Sequence, residues 1–143
     1  MNQADASKHM WEAILEGRKA MPHCAPNPPV GCVLVRDGRV VAKGHTSPPG
    51  QPHAEAMALK ELQGEPGCVS VFVTLEPCSF FGRTPSCAME IVKSNVKEVY
   101  VGTIDPHPRN RGEGIKIIRE AGIPVQVGLL EQEVLRDLAS YLI

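Results

Sequence analysis

His53, Glu55, Cys78 and Cys87 are the residues of this chain best suited to carry chemistry. One imidazole and two thiolates make the three-ligand set of a catalytic zinc ion, which keeps its fourth position for water. Water on such an ion ionises near neutral pH and becomes a nucleophile. Glu55 follows His53 by two residues, where a carboxyl group can carry protons to and from that water. A lone His-x-Glu is common, and a single cysteine is more often a small buried side chain than a ligand. The joint pattern is the informative one: His-x-Glu, then Pro77-Cys78, then Cys87. A structural zinc site would want a fourth protein ligand. His23, Cys24 or His45 could supply it, and that alternative stays open at this point.

The elements that must position these residues can be read from periodicity and turn residues. Residues 5–20 predict a helix capped by Asp5 or Ser7, with Met10, Trp11, Ile14 and Leu15 as its apolar stripe. Two apolar runs, 30–35 and 39–42, flank Asp37-Gly38, a strong hairpin signal. A helix is expected over 53–63, a buried strand over 69–75, a short helix from Cys87 to Ser94 and a strand over 98–102. A helix near 112–121 stopped by Gly122, a strand over 125–128 and a helix over 130–142 complete the chain. The order α-β-β-α-β-α-β-α-β-α implies an α/β fold with a mixed five-stranded sheet and helices on both faces. Ligands bind at the carboxyl ends of the strands of such sheets, where the βα loops gather. His53 and Glu55 then open one helix, Cys87 opens another, and Cys78 lies just past a strand end. Helix N-termini favour negative charge and thiolates, so the three ligands should converge on one edge of the sheet.

Composition narrows the class. The 143 residues are expected to form a single domain, 43% hydrophobic and 22% charged. Fifteen basic against sixteen acidic residues give a net charge of −1, which offers no field for nucleic acid. No apolar run approaches the ~18 residues of a membrane span. The N-terminal residues have no basic-then-apolar layout, so the expected location is cytoplasmic. Five cysteines, an odd count, argue against a disulfide framework there.

The order His-x-Glu, Pro-Cys, Cys resembles the signature of zinc nucleobase deaminases, in which the Glu is a proton shuttle and not a ligand. Eight residues separate Cys78 from Cys87, where the short form of that signature has two. The segment Thr74-Leu-Glu-Pro-Cys-Ser-Phe-Phe-Gly-Arg-Thr-Pro-Ser-Cys87 resembles the long cysteine loop of the riboflavin-pathway deaminases, the pyrimidine deaminase half of a bifunctional deaminase–reductase. Asn27-Pro-Pro-Val-Gly-Cys-Val-Leu-Val35, Gly50-Gln-Pro-His-Ala-Glu55, the Asp105-Pro106 turn and Gly112 to Gly128 with Glu131 are similar to the same family.

The resemblance implies a cytidine deaminase-like three-layer α/β/α sandwich and one zinc ion. It implies hydrolytic deamination of 2,5-diamino-6-ribosylamino-4(3H)-pyrimidinone 5′-phosphate, with zinc-bound hydroxide attacking the amine-bearing ring carbon and Glu55 shuttling protons. It further implies a homo-oligomer. No reductase domain is expected within residues 1–143, so a separate reductase would act in the pathway. Substrate contacts are expected from Asn27, His45, Arg83, Asp105 and His107. Arg83 suits a phosphate through a charge-assisted bond. The family usually has His at Phe80 and Asn at His107. These departures motivate an alternative, a deaminase of the same chemistry acting on another small nucleobase, nucleoside or nucleotide. A zinc-stabilised binding domain without turnover is the reading from another class, and Glu55 argues against it.

Overall fold

The computed structural model describes residues 1–79 and 86–142. Helix α1 spans Gln3–Arg18. Strands β1 (Gly31–Arg36) and β2 (Arg39–His45) form the expected hairpin. Both turn residues take positive φ, 51° at Asp37 and 75° at Gly38, which is why Asp-Gly suits this position. Then come α2 (Ala54–Glu61), a 3₁₀ turn (Pro66–Cys68), β3 (Ser70–Leu75), α3 (Cys87–Ser94), β4 (Glu98–Thr103), α4 (Glu113–Glu120), β5 (Val125–Val127) and α5 (Glu131–Leu138). A second 3₁₀ turn covers Ala139–Tyr141.

The sheet order is β2-β1-β3-β4-β5. β1 runs antiparallel to β2 and β3, while β3, β4 and β5 run parallel. This is the mixed five-stranded sheet that the sequence predicts. Alternation along the central strands divides the core. Val33, Val35, Phe72 and Tyr100 pack with Ala6, Met10 and Ala13 of α1. Cys32, Leu34, Val71, Val73, Val99 and Val101 pack with Ala54 and Ala58 of α2, Ala88 and Ile91 of α3, and Ile115 and Ile118 of α4.

Helix α1 corrects two expectations. Its cap is Asn2, whose side chain accepts from the Asp5 N–H at 2.8 Å. Its inner face is lined by Ala6, Met10, Ala13, Ile14 and Gly17, whereas Trp11 and Leu15 are exposed. Small residues win that face because the helix lies almost on the strand. A Cβ at Gly31 would meet the Ala13 carbonyl oxygen at 1.8 Å.

Because β1 is antiparallel to β3, its start lies at the sheet edge where β3 ends. The loops after β3 and β4, the entry to β1 and the exit from β2 therefore meet at one edge. Among the described residues, no helix is long and apolar enough to cross a membrane.

Candidate active site

At that edge the three predicted ligands come together. His53 caps α2 with extended backbone, and Cys87 is the first residue of α3. Ser86 supplies the α3 cap, its hydroxyl accepting from the Met89 N–H at 3.2 Å. The first N–H groups of α3 have no partner inside the helix. Two of them hold Cys78: the Cys87 N–H donates to Cys78 Sγ at 3.3 Å, and the Ala88 N–H to the Cys78 carbonyl at 3.0 Å. α2 is pressed onto β2, since a Cβ at Gly44 would fall 2.3 Å from the Ala54 carbonyl oxygen. Only glycine permits that approach, which brings Glu55 down to the sheet.

Nδ1 of His53 lies 3.3 Å from Cys87 Sγ and 3.9 Å from Cys78 Sγ. All three ligand atoms lie within 4.8 Å of one another. Tetrahedral zinc with ordinary bond lengths places an imidazole nitrogen and a thiolate sulfur about 3.5 Å apart, so the set fits the ion. No other His, Cys, Asp or Glu among the described residues joins this group. His23, Cys24 and His45 are thus not a fourth ligand, and the site keeps the three-ligand form of a catalytic centre.

The electrostatics suit metal binding. The hydrogen bond with Cys87 lowers the Cys78 thiol well below its ordinary value against the cost of burial, with further help from His53 and the Cys87 N–H. The same bond to Cys78, with burial, holds the Cys87 thiol high. The Cys78 bond also raises His53, against burial. The Cys87 and His53 protons must leave for all three atoms to act as ligands. Glu55 is buried, and burial pushes its carboxyl up to about 7, with its own N–H opposing and the Cys78 charge adding.

A cavity of about 160 Å³ opens beside these groups. Its walls include Asn27, Thr46, His53, Glu55, Glu76, Cys78 and Asp105. Of the expected substrate contacts, Asn27 and Asp105 line it. His45 and His107 are not among its described lining residues. His45 Nδ1 instead pairs with the buried Glu16 carboxylate at 2.7 Å, and His107 Nδ1 accepts from the Arg109 N–H at 3.1 Å. Phe80 and Arg83 lie outside the described residues.

Three supporting residues escaped sequence reasoning. Thr46 accepts from the Val30 N–H at 2.9 Å and donates to the Pro28 carbonyl at 2.8 Å, holding the Asn27 loop against the end of β2. Glu76 and Asn110 hold the turn after β4. Glu76 did carry a signal, a charged residue directly after a fully buried strand. Asn110, inside a basic turn, carried none.

Comparison with known proteins agrees with this geometry. The family model of the cytidine and deoxycytidylate deaminase zinc-binding region matches residues 3–103. The chain belongs to that zinc-binding deaminase family. His53, Cys78 and Cys87 form its zinc site here. Among curated members, the chloroplastic riboflavin biosynthesis protein PYRD of Zea mays is 45% identical over 127 residues, 89% of this chain and 32% of that protein. Among solved structures, Acinetobacter baumannii RibD superposes with a TM-score of 0.93 at 37% identity, covering 99% of this chain and 40% of that one. A diaminohydroxyphosphoribosylaminopyrimidine deaminase/5-amino-6-(5-phosphoribosylamino)uracil reductase from Thermotoga maritima gives a TM-score of 0.92 at 38% identity, covering 97% and 40%. The chain spans about a third of the length of the curated relatives it matches.

Proposed function

We propose that this protein hydrolytically deaminates 2,5-diamino-6-ribosylamino-4(3H)-pyrimidinone 5′-phosphate, a step of riboflavin biosynthesis. The observation that carries the proposal is the juxtaposition of a three-ligand His/Cys/Cys set and a buried Glu55 on the wall of one cavity. The similarity to riboflavin biosynthesis proteins directs the choice of substrate.

When bound by His53, Cys78 and Cys87, zinc supplies Lewis acidity and makes water a nucleophile at neutral pH. The chain's own residues supply the rest. Replacing a ring amine by oxygen requires two proton movements: one from the attacking water to the adjacent ring nitrogen, one onto the departing amine. Both are assigned to Glu55, one of three carboxyl groups on the cavity wall and the one two residues from His53. Asn27 and Asp105 face the same space and offer an amide and a carboxylate to the pyrimidine and its ribose. His45, Arg83 and His107 are proposed as further substrate contacts.

Residues 1–143 are assigned to the deaminase step as one domain. One sheet and one such cluster among the described residues support that assignment. A cytoplasmic location and a homo-oligomer are part of the same proposal; the maize relative is a chloroplastic protein.

The test is a panel assayed for ammonia release by zinc-loaded protein. It contains the phosphorylated diaminopyrimidine, its dephosphorylated form, cytosine, cytidine, deoxycytidylate and adenine. The phosphorylated diaminopyrimidine should give the highest kcat/KM. Preference for another member would transfer the activity to the alternative reading that Phe80 and His107 motivate. No turnover on any of them would contradict the enzyme assignment.

A further inference from the structure

We infer that Glu76 is a positioning residue for substrate recognition, acting through Asp105 by clasping the turn after β4 to the strand end that carries Cys78. The inference rests on the proposed role of Asp105 as a substrate contact.

Glu76 is 3% exposed and stands two residues before Cys78. Its Oε1 accepts from the Asp105 N–H at 3.1 Å and from the Gly112 N–H at 2.9 Å, and its Oε2 accepts from the Ile115 N–H at 3.1 Å. Its own N–H donates to the Thr103 carbonyl at 2.9 Å. Three donors on two oxygens call for a carboxylate, since an amide would turn N–H groups towards one of them.

Asn110 closes the clasp. It is wholly buried, and its Nδ2 donates to the Pro77 carbonyl at 3.2 Å and to Asp105 Oδ2 at 3.3 Å. The Pro77 carbonyl also sets the approach of α4, because a Cβ at Gly114 would lie 1.9 Å from it. Asp105 Oδ1 accepts from the His107 N–H at 3.0 Å. The Asp105 carboxylate is thus held from both sides while it lines the cavity.

A helix cap alone would account for the bonds to Gly112 and Ile115, but not for the bond to Asp105 or for Glu76's own place on the cavity wall. The arrangement couples two loops: the one that bears a metal ligand and the one that bears a recognition group. A ligand-bearing loop fixed relative to Asp105 fixes the distance between the reacting carbon and whatever Asp105 holds. Loss of such a hold is felt in substrate binding more than in proton transfer.

The experiment is a double-mutant cycle on the full chain with Glu76→Ser, Asp105→Asn and the pair, reading kcat, KM and zinc content for the phosphorylated diaminopyrimidine. Glu76→Ser leaves room for water to satisfy the freed N–H groups. It should raise KM about tenfold, with kcat within about threefold and zinc unchanged, and should add less than about twofold in the Asp105→Asn background. Penalties that multiply in the double variant, or a loss confined to kcat or zinc, overturn the clasp. An unchanged KM for Asp105→Asn overturns the recognition role of Asp105 as well, so the two failures are distinguishable. If Glu76→Ser does not fold, Glu76→Gln carries the test, because it keeps the side chain in place and turns an amide N–H towards one of its donors. It should raise KM about fivefold, and an unchanged KM overturns the inference.

Discussion

The two walls of the cavity are built differently. On the metal wall, each functional side chain sits at a backbone landmark: His53 caps α2, Glu55 lies in its first turn, and Cys87 opens α3. Main-chain N–H groups of α3 then bind Cys78 directly. On the other wall, which the proposal gives to recognition, Asn27 and Asp105 sit on irregular loops. Their positions depend on side chains borrowed from elsewhere: Thr46 for the first, Glu76 and Asn110 for the second. The metal wall inherits its rigidity from regular secondary structure and sheet packing. The recognition wall is held by a few discrete hydrogen bonds, each removable by one substitution. Such a division would let the proposed substrate contacts vary while the proposed chemistry stays in place.

Substitutions on the two walls should therefore give different signatures. The largest effect is expected from Glu55→Gln. Its kcat should fall by about 10²–10⁴ with zinc content and KM little changed, because only the proton carrier is removed. Steady-state kinetics with metal analysis will check this, and loss of zinc in this variant would mean that the metal wall is not independent of Glu55. A smaller effect is expected from Thr46→Val, which leaves the Val30 N–H without its hydroxyl acceptor and frees the Pro28 carbonyl. It should cost about 1–3 kcal/mol by urea unfolding and raise KM while sparing kcat and zinc. A fall in kcat alone would blur the distinction between the walls.

The smallest effect concerns Glu16, which pairs with His45 at the end of β2. Burial raises its carboxyl, but hydrogen bonds from His45 and Lys19 outweigh that and hold it below the usual carboxylate range. A carboxyl lowered in the folded state contributes stability above its unfolded value and loses it as pH falls through the folded one. The stability advantage of the parent over Glu16→Gln should therefore be full near neutrality and shrink below about pH 4.3. Urea unfolding of both proteins across that range will check it, and a constant difference would contradict the assigned shift.

The same contrast governs what was legible in the sequence. Cys87–Ser94 forms a helix with the expected bounds, and Asp37-Gly38 makes the expected hairpin turn. Both are local signals, written in neighbouring residues. The metal wall could be read because helix starts and strand ends are local too, and ligand chemistry restricts residue types. Helix α1 shows where local reading stops. Its apolar stripe included Trp11 and Leu15, yet tight packing on Gly31 selected the face with Ala13 and Gly17. Glu76 and Asn110 show the same limit, since their partners are 29 to 39 and 5 to 33 residues away. Such bonds depend on tertiary contact, which periodicity does not encode.

X-ray absorption at the zinc edge of the purified protein tests the central claim most directly. The account predicts one zinc per chain with two sulfur neighbours at about 2.3 Å and the remaining nitrogen or oxygen neighbours near 2.0–2.2 Å. A metal-free protein that takes up no zinc, or a shell of four sulfurs or none, would contradict it.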